Sequence, residues 1–362
     1  MKPSTYTAAV IGLGKMSRSH LKCLSDAGRF ELVAVCERDA TTLEAAELAE
    51  SVSRFSDLET MMQAARPDLV IIVTPNSSHA ALTEAVAAYK PRAILCEKPM
   101  STHYSDAVAM VASCESQGVE LLVNHQRRLV AGVVGRGAID RGLIGDLLEI
   151  DTRCAGDFMS DGTHAVDIAL CLGGDLLPKS VFGAVDLGAG QGERYGHAVE
   201  VSAYASWFDE ANVRYSVTTG ALTQRTQYQQ YRVRGTKGEL WHPGGPDQPH
   251  WYLNDGSPGD FSAALGEDRW FTMPVPAPEG GPWRRLNARP ESSEMIASLE
   301  LLAEQLDGEL DRHPLNGREA LNTHAVVNAC YLSALRRQSV EFPLPEDSAF
   351  VIDALFKTHP ES

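Results

Sequence analysis

No two of the seven cysteines in this sequence form a CxxC pair. They sit mostly in apolar contexts, such as Ala34-Val35-Cys36 and Ile94-Leu95-Cys96. That pattern excludes a zinc ribbon and a disulfide frame and fits reduced, buried thiols. No His/Asp/Glu cluster has metal-ligand spacing, so no metal is expected. No apolar run approaches membrane-spanning length. The first apolar stretch, Ala8-Ala9-Val10-Ile11, runs into glycines without a cleavage-like site. The expectation is a chain with no secretory leader, located in the cytoplasm. Positive charge is scarce: 32 Lys and Arg stand against 48 Asp and Glu, a net charge of −16. That argues against nucleic acid or an anionic membrane as a main partner, since both need a clustered basic surface. A neutral substrate, or an anion held by a few local cations, stays open.

What is present is a long, ordinary globular composition. At 362 residues with 44% hydrophobic content, the chain is too large for one core and implies two domains. The first third alternates strand and helix patterns. Strands are expected at 7–11, 32–36, 68–73, 93–96 and 120–123, with helices at 17–27, 40–50, 58–65, 78–88 and 104–117. Such alternation predicts a doubly wound parallel α/β sheet over 1–124. The period then changes. Strand patterns at 147–153, 181–185, 199–207, 213–219, 231–234 and 238–240, with a helix at 161–171, predict an α/β domain over 125–362. Its sheet should be open, mixed and mostly antiparallel. Helices are expected at 294–306 and 317–336. The stretch 243–290 is rich in Pro and Gly and reads as an extended irregular segment with a functional or interface role. The open sheet face should expose Val201, Tyr204 and Val213 unless a second copy covers it. A homodimer or homotetramer through that sheet is therefore expected.

The chemistry concentrates at strand ends. Gly12-Leu13-Gly14-Lys15-Met16-Ser17 follows the first strand and opens the first helix. Gly12 permits a tight turn, Gly14 lets a pyrophosphate approach the backbone, and the helix N-terminus meets the negative charge. Ser17 stands where the fingerprint has its third glycine. Glu37 ends the second strand, where a carboxylate accepts the ribose hydroxyls and repels a 2′-phosphate. Arg38 beside it could pair with that phosphate, so NAD is favoured with NADP as the alternative. Thr74-Pro75-Asn76-Ser77-Ser78-His79 follows the third long strand, and Glu97-Lys98-Pro99 the fourth. Carboxyl ends of strands are where open α/β sheets bind ligands.

Together, Gly12–Ser17, Val73–His79 and Cys96–Met100 resemble the Gfo/Idh/MocA family (glucose–fructose oxidoreductase / inositol dehydrogenase). Asp161-Gly162-Thr163-His164-Ala165-Val166-Asp167 is similar to that family's Asp-x-Gly-x-His-x-x-Asp element. Gly235-Thr236-Lys237-Gly238 resembles a strand–turn of its second domain. The resemblance covers most of the chain. It implies a Rossmann domain plus an open-sheet α/β domain, a nicotinamide cofactor, and a sugar or polyol substrate. It implies that Lys98 lies between nicotinamide and substrate and that His164 shuttles the proton. It also implies cofactor contacts from Thr74, Pro75, Asn76, His79, Glu97 and an arginine, Arg127 or Arg128. One departure stands out: the family's acid lies four residues before the histidine, where this chain has Ser160. Asp161 is three before, still on the same helical face, and is the third catalytic candidate.

Oxidising a secondary alcohol needs a hydride acceptor and a base, and histidine suits the base role at neutral pH. The expected activity is therefore an NAD(P)-dependent dehydrogenase or reductase acting on CH–OH groups. An NAD-dependent glycosidase and a catalytically silent NAD-binding sensor are the alternatives.

Overall fold

The computed structural model describes residues 5–188, 192–220, 229–243, 251–254, 272–275, 284–287, 294–345, 348 and 354–355. The chain divides into two compact units. The first comprises Met1–Gln126, Tyr195–His197 and Ser292–Leu321. The second comprises Arg127–Arg194, Ala198–Glu291 and Asn322–Ser362.

The first unit is built on six strands: β1 Tyr6–Ile11, β2 Phe30–Cys36, β3 Ser53–Phe55, β4 Leu69–Ile72, β5 Ala93–Cys96 and β6 Glu120–Val123. All pair in parallel, in the order β3-β2-β1-β4-β5-β6. This is the doubly wound Rossmann arrangement, whose strand order reverses beside β1. The apolar runs Leu69–Ile72 and Ala93–Cys96 are buried throughout, as strands covered on both faces require. Five helices connect them: α1 Ser17–Ala27, α2 Ala40–Ala45, α3 Leu58–Ala65, α4 His79–Ala87 and α5 Tyr104–Gln117. Their ends are set locally. Asp39 and Asp57 accept the backbone N–H groups of Thr42 and Thr60 at the starts of α2 and α3. Gly28, at φ 64°, ends α1.

The second unit carries a ten-stranded mixed sheet. Its strands are β7 Leu147–Cys154, β8 Pro178–Asp186, β11 Ser202–Asp209, β12 Arg214–Thr219, β13 Gln229–Gly235, β14 Glu239–His242, β15 Trp251–Asn254, β16 Thr272–Val275, β17 Arg284–Asn287 and β18 Val340–Glu341. The order is β16-β17-β15-β14-β13-β7-β12-β11-β8-β18. Only β7 and β12 pair in parallel among the described pairs. The short strands β9 Gly192–Arg194 and β10 His197–Val199 form a separate pair. Helices α6 Val133–Asp140 and α7 Gly162–Leu172 lie within the second unit. Every residue of α7 is buried. Helices α8 Glu294–Leu306 and α9 Gly317–Arg336 follow. Among the described residues, no helix is long and apolar enough to cross a membrane.

Three sequence expectations change. The segment 243–290 is not irregular throughout, because β15, β16 and β17 all fall inside it; residues 244–250, 255–271, 276–283 and 288–290 lie outside the described residues. The strand expected at 199–207 breaks after Val199 and resumes at Ser202, because the Glu200 side chain turns inward. Val213 is buried at 5% exposure, whereas Val201 and Tyr204 are 44% and 39% exposed. Strand alternation explains it: Val213 shares its face with the buried Tyr215 and Val217. The aromatics on the open face are instead Phe182 and Phe208, beside Tyr204. Their strands are adjacent, with Tyr204 opposite Ala184 and Ser206 opposite Phe182.

Candidate active site

In the first unit the candidate residues collect at the carboxyl edge of the parallel sheet. Backbone hydrogen bonds carry the ladder past the strand ends: Gly12 N–H to Cys36 O at 2.8 Å, Val73 N–H to Ile11 O at 2.8 Å, and Glu97 N–H to Ile72 O at 3.0 Å. The loops after β1, β2, β4 and β5 are thereby aligned.

Gly12 adopts φ +91°, and a Cβ there would lie 2.5 Å from Val73 O and 2.9 Å from Thr74 Cγ2. No other residue type fits that turn. A Cβ on Gly14 would meet nothing within 4 Å, so the backbone there faces open space that a pyrophosphate can approach. Lys15 and Met16 are exposed beside it. Ser17, at the third fingerprint position, is 1% exposed. Its hydroxyl donates to Gly14 O at 2.6 Å, closing the loop that a glycine would leave to packing alone. Glu37 is half-buried and accepts the N–H groups of Leu13 at 2.9 Å and Asp39 at 3.0 Å. One carboxylate thus joins the glycine loop to the end of β2. Arg38 is exposed next to it.

The loop after β4 is compact. Ser78 Oγ lies 2.7 Å from Thr74 Oγ1 and also donates to Pro75 O at 2.7 Å. Pro75 is exposed, while Asn76 is buried, its Nδ2 without a hydrogen-bond partner among the described residues. A buried unpaired donor at this edge is a place for a ligand acceptor. The open backbone at Gly14, the Glu37 carboxylate and the Asn76 amide fit a dinucleotide. His79 is fully buried. Its Nδ1 lies 2.8 Å from Pro99 O and its Nε2 2.9 Å from Thr74 O. Both ring nitrogens face protein carbonyls, so neither points at a cofactor.

Glu97 also turns inward. It accepts from Asn124 Nδ2 at 2.8 Å, lies 2.7 Å from His20 Nε2, and takes the Lys98 N–H at 3.2 Å. Burial acts to raise its pKa, but the His20 bond and charge and the Asn124 bond outweigh it and hold the carboxyl down at about 2. Glu97 is therefore ionised and accepts only, so His20 Nε2 carries the proton. Lys98 is half-buried between Glu97 and Pro99. His20 and Asn124 were not singled out from sequence. Their partner lies 77 and 27 residues away, and no local pattern marks such a pairing.

The remaining candidates belong to the second unit. His164 is in the first turn of α7, buried at 4%, with its backbone N–H on Asp161 O at 3.2 Å. Asp161 occupies the N-cap position, and its carboxylate is ion-paired to Arg194, which also lies 3.2 Å from Asp157. Ser160 is 1% exposed, its N–H held by Asp157 Oδ1 at 2.6 Å. Asp161 is thus engaged by a guanidinium before any substrate arrives. Arg127 is half-buried. Arg128 is spent internally: its guanidinium bonds Asp167 at 2.9–3.2 Å and Asp175 at 2.8 Å. Asp167 also accepts from Thr323 at 3.2 Å, which makes Arg128 and Asp167 an internal brace. Glu200 accepts the Phe158 N–H at 2.5 Å and the Tyr331 hydroxyl at 2.9 Å. Burial, then the Asp157 charge, push its pKa up to about 7. Among the described residues no His/Cys/Asp/Glu group could hold a metal ion.

Known proteins are similar to this chain. A D-apiose dehydrogenase of Paraburkholderia graminis is 36% identical over 191 residues, 47% of this chain and 50% of that protein. A 2,7-anhydro-N-acetylneuraminate hydratase of Escherichia coli is 34% identical over 102 residues, 27% of each chain. The chain thus spans half or less of the length of these relatives. A solved structure of the WlbA dehydrogenase of Bordetella pertussis, in complex with NADH and UDP-GlcNAcA, superimposes with a TM-score of 0.73. It covers 94% of this chain and all of that one at 22% identity, which shows a shared fold. Residues 6–125 match the oxidoreductase family with an NAD-binding Rossmann fold. Over these residues, about a third of its length, the chain is similar to the Gfo/Idh/MocA family.

Proposed function

We propose that the protein is an NAD-dependent dehydrogenase or reductase acting on a secondary alcohol or carbonyl of a sugar or polyol. The observation that carries this is Lys98. It stands on a braced turn at the same sheet edge as the Gly12–Gly14 loop and the Glu37 carboxylate. The D-apiose dehydrogenase relative supports a sugar-type substrate. Nicotinamide, when bound, supplies the hydride acceptor. Gly12, Gly14, Lys15 and Met16 receive the pyrophosphate, and Glu37 and Arg38 the adenosine ribose. Thr74, Pro75 and Asn76 line the nicotinamide side, and Arg127 adds a cation. The Lys98 ammonium stabilises the developing alkoxide by charge and hydrogen bonding. His164 takes the hydroxyl proton, and Asp161 orients it through the N-terminus of α7. Glu37 disfavours a 2′-phosphate and so favours NAD over NADP.

The test is a panel of sugars, polyols and hydroxy acids with NAD and NADP, read by net NADH formation. Lys98→Ala should lower turnover by about 100-fold or more while NAD binding survives. Near-normal rates in that variant would remove Lys98 from the mechanism. A second reading, an NAD-dependent glycosidase with only transient oxidation, is favoured by the hydratase relative, whose name denotes no net redox change. Glycoside cleavage without net NADH would select it, and NAD binding without turnover of any kind would select a sensor.

The working form is a cytoplasmic homodimer or homotetramer. A second copy covers the open sheet face at Phe182, Tyr204 and Phe208, which are 47%, 39% and 52% exposed. Light scattering of Phe182→Glu/Phe208→Glu against the parent protein tests it, with a fall in mass expected.

A further inference from the structure

His79 closes the Thr74–His79 stretch, but its ring is 0% exposed. Nδ1 lies 2.8 Å from Pro99 O and Nε2 2.9 Å from Thr74 O. Thr74 follows β4 and Pro99 follows β5. One imidazole therefore spans two adjacent strand-end loops, the second of which carries Lys98. Pro99 has no N–H, so its carbonyl is the only main-chain polar group by which that residue can be held. On the other side of Lys98, Glu97 is fixed by His20 and Asn124. Both neighbours of Lys98 are thus pinned by buried side chains, and Lys98 itself is half-buried between them.

We propose that His79 is a positioning residue for Lys98, acting through the Pro99 carbonyl and touching neither cofactor nor substrate. The proposal rests on the reading of Lys98 as the catalytic cation. A neutral imidazole has one N–H, so one carbonyl at a time receives the hydrogen bond, and protonation adds the second. Burial lowers the pKa of the ring, opposed by the two carbonyls and the Glu97 charge, with the Lys98 charge acting alongside burial. In either form the ring fills the space between the loops and holds their separation. Glutamine nearly preserves the volume and donates to one carbonyl, but aims its own oxygen at the other. Alanine leaves a gap lined by two carbonyls.

The experiment uses the full chain with NAD⁺ bound. Lysines are reductively methylated with ¹³C, and the Lys98 resonance is identified by its loss in Lys98→Arg. In His79→Gln the Lys98 resonance and its titration midpoint should move, while NAD⁺ affinity stays within about threefold. With a substrate from the panel, kcat should fall about tenfold or more with little change in KM. Added imidazole should restore both signals in His79→Ala. If His79→Ala fails to fold, His79→Gln still reports. An unmoved Lys98 resonance in His79→Gln overturns the proposal. So does a loss of NAD⁺ affinity beyond about tenfold, which would put His79 at the cofactor. If the resonance moves but Lys98→Ala keeps full turnover, the positioning role stands and the catalytic reading of Lys98 fails.

Discussion

The Glu97 carboxylate lies 2.7 Å from His20 Nε2, and that contact turns the acid of Glu97-Lys98-Pro99 into the core of the first unit. Glu97→Ala would leave His20 and Asn124 buried without their acceptor. The expected cost is about 3 kcal/mol of stability, measured by urea unfolding, with Glu97→Gln costing less. The pH sign follows from the depressed carboxyl. Its stabilising contribution is present above the ordinary value of 4.5 and is lost as pH falls toward about 2. The parent protein should therefore lose stability across that acid window more steeply than Glu97→Gln.

Gly12 offers a sharper test of the nucleotide edge. Gly12→Ala places a methyl 2.5 Å from Val73 O at φ +91°. The loop has to move, and with it the backbone that meets the pyrophosphate. A stability loss of about 2 kcal/mol is expected, with NAD affinity down about tenfold or more by calorimetric titration. Unchanged NAD affinity would detach Gly12 from the cofactor site.

Glu37 bonds the Leu13 and Asp39 N–H groups. Glu37→Ser removes both the ribose acceptor and the repulsion of a 2′-phosphate. The ratio of kcat/KM for NAD over NADP should fall by about tenfold or more. A constant ratio would remove Glu37 from cofactor choice. Because Leu13 N–H loses its acceptor, NAD affinity should fall in the same variant.

The elements that could be read in the sequence are those whose burial is one-sided or complete. Ala93–Cys96, Glu120–Val123, Ser17–Ala27 and Tyr104–Gln117 have the expected limits, because a buried apolar run or a glycine stop marks each end. The strand Ser53–Phe55 went unseen. It is short and half-exposed at the sheet edge, so nothing in its composition differs from a loop. Helix α2 ends at Ala45, not at residue 50. Its residues are all exposed or half-exposed, and no packing extends it. The strand-end glycines and Lys98 were visible because backbone geometry and charge at a strand end are local. The partners of Glu97, Asp161 and Glu200 were not, since each bond joins residues 27 or more apart in sequence.

Arg128 is bonded to Asp167 and Asp175 and is 4% exposed. Arg128→Ala takes the guanidinium away from the buried Asp167 carboxylate, which keeps the Thr323 hydroxyl bond. The expected loss is about 3–5 kcal/mol. Arg128→Met with Asp167→Leu should recover part of it, since the buried carboxylate is then gone and the Asp175 carboxylate left behind reaches solvent. NAD affinity should be unaffected in the double variant, which separates this brace from any cofactor role.

Glu200 gives the opposite pH sign from Glu97. Its carboxyl is buried beside Asp157, and its pKa is raised from 4.5 to about 7. The folded protein therefore holds a proton that the unfolded chain has already released. Stability contributed by the neutral acid is complete below about 4.5 and declines as pH rises to about 7. The decline amounts to roughly 3 kcal/mol from this group. Glu200→Gln stays neutral at every pH; its Oε1 can accept from the Phe158 N–H while its Nε2 donates to the Tyr331 hydroxyl oxygen. Its urea midpoint should exceed that of the parent at pH above 7 and approach it near pH 4.5. Parallel pH profiles for the two proteins would mean that Glu200 ionises in the folded state as readily as it does in the unfolded chain.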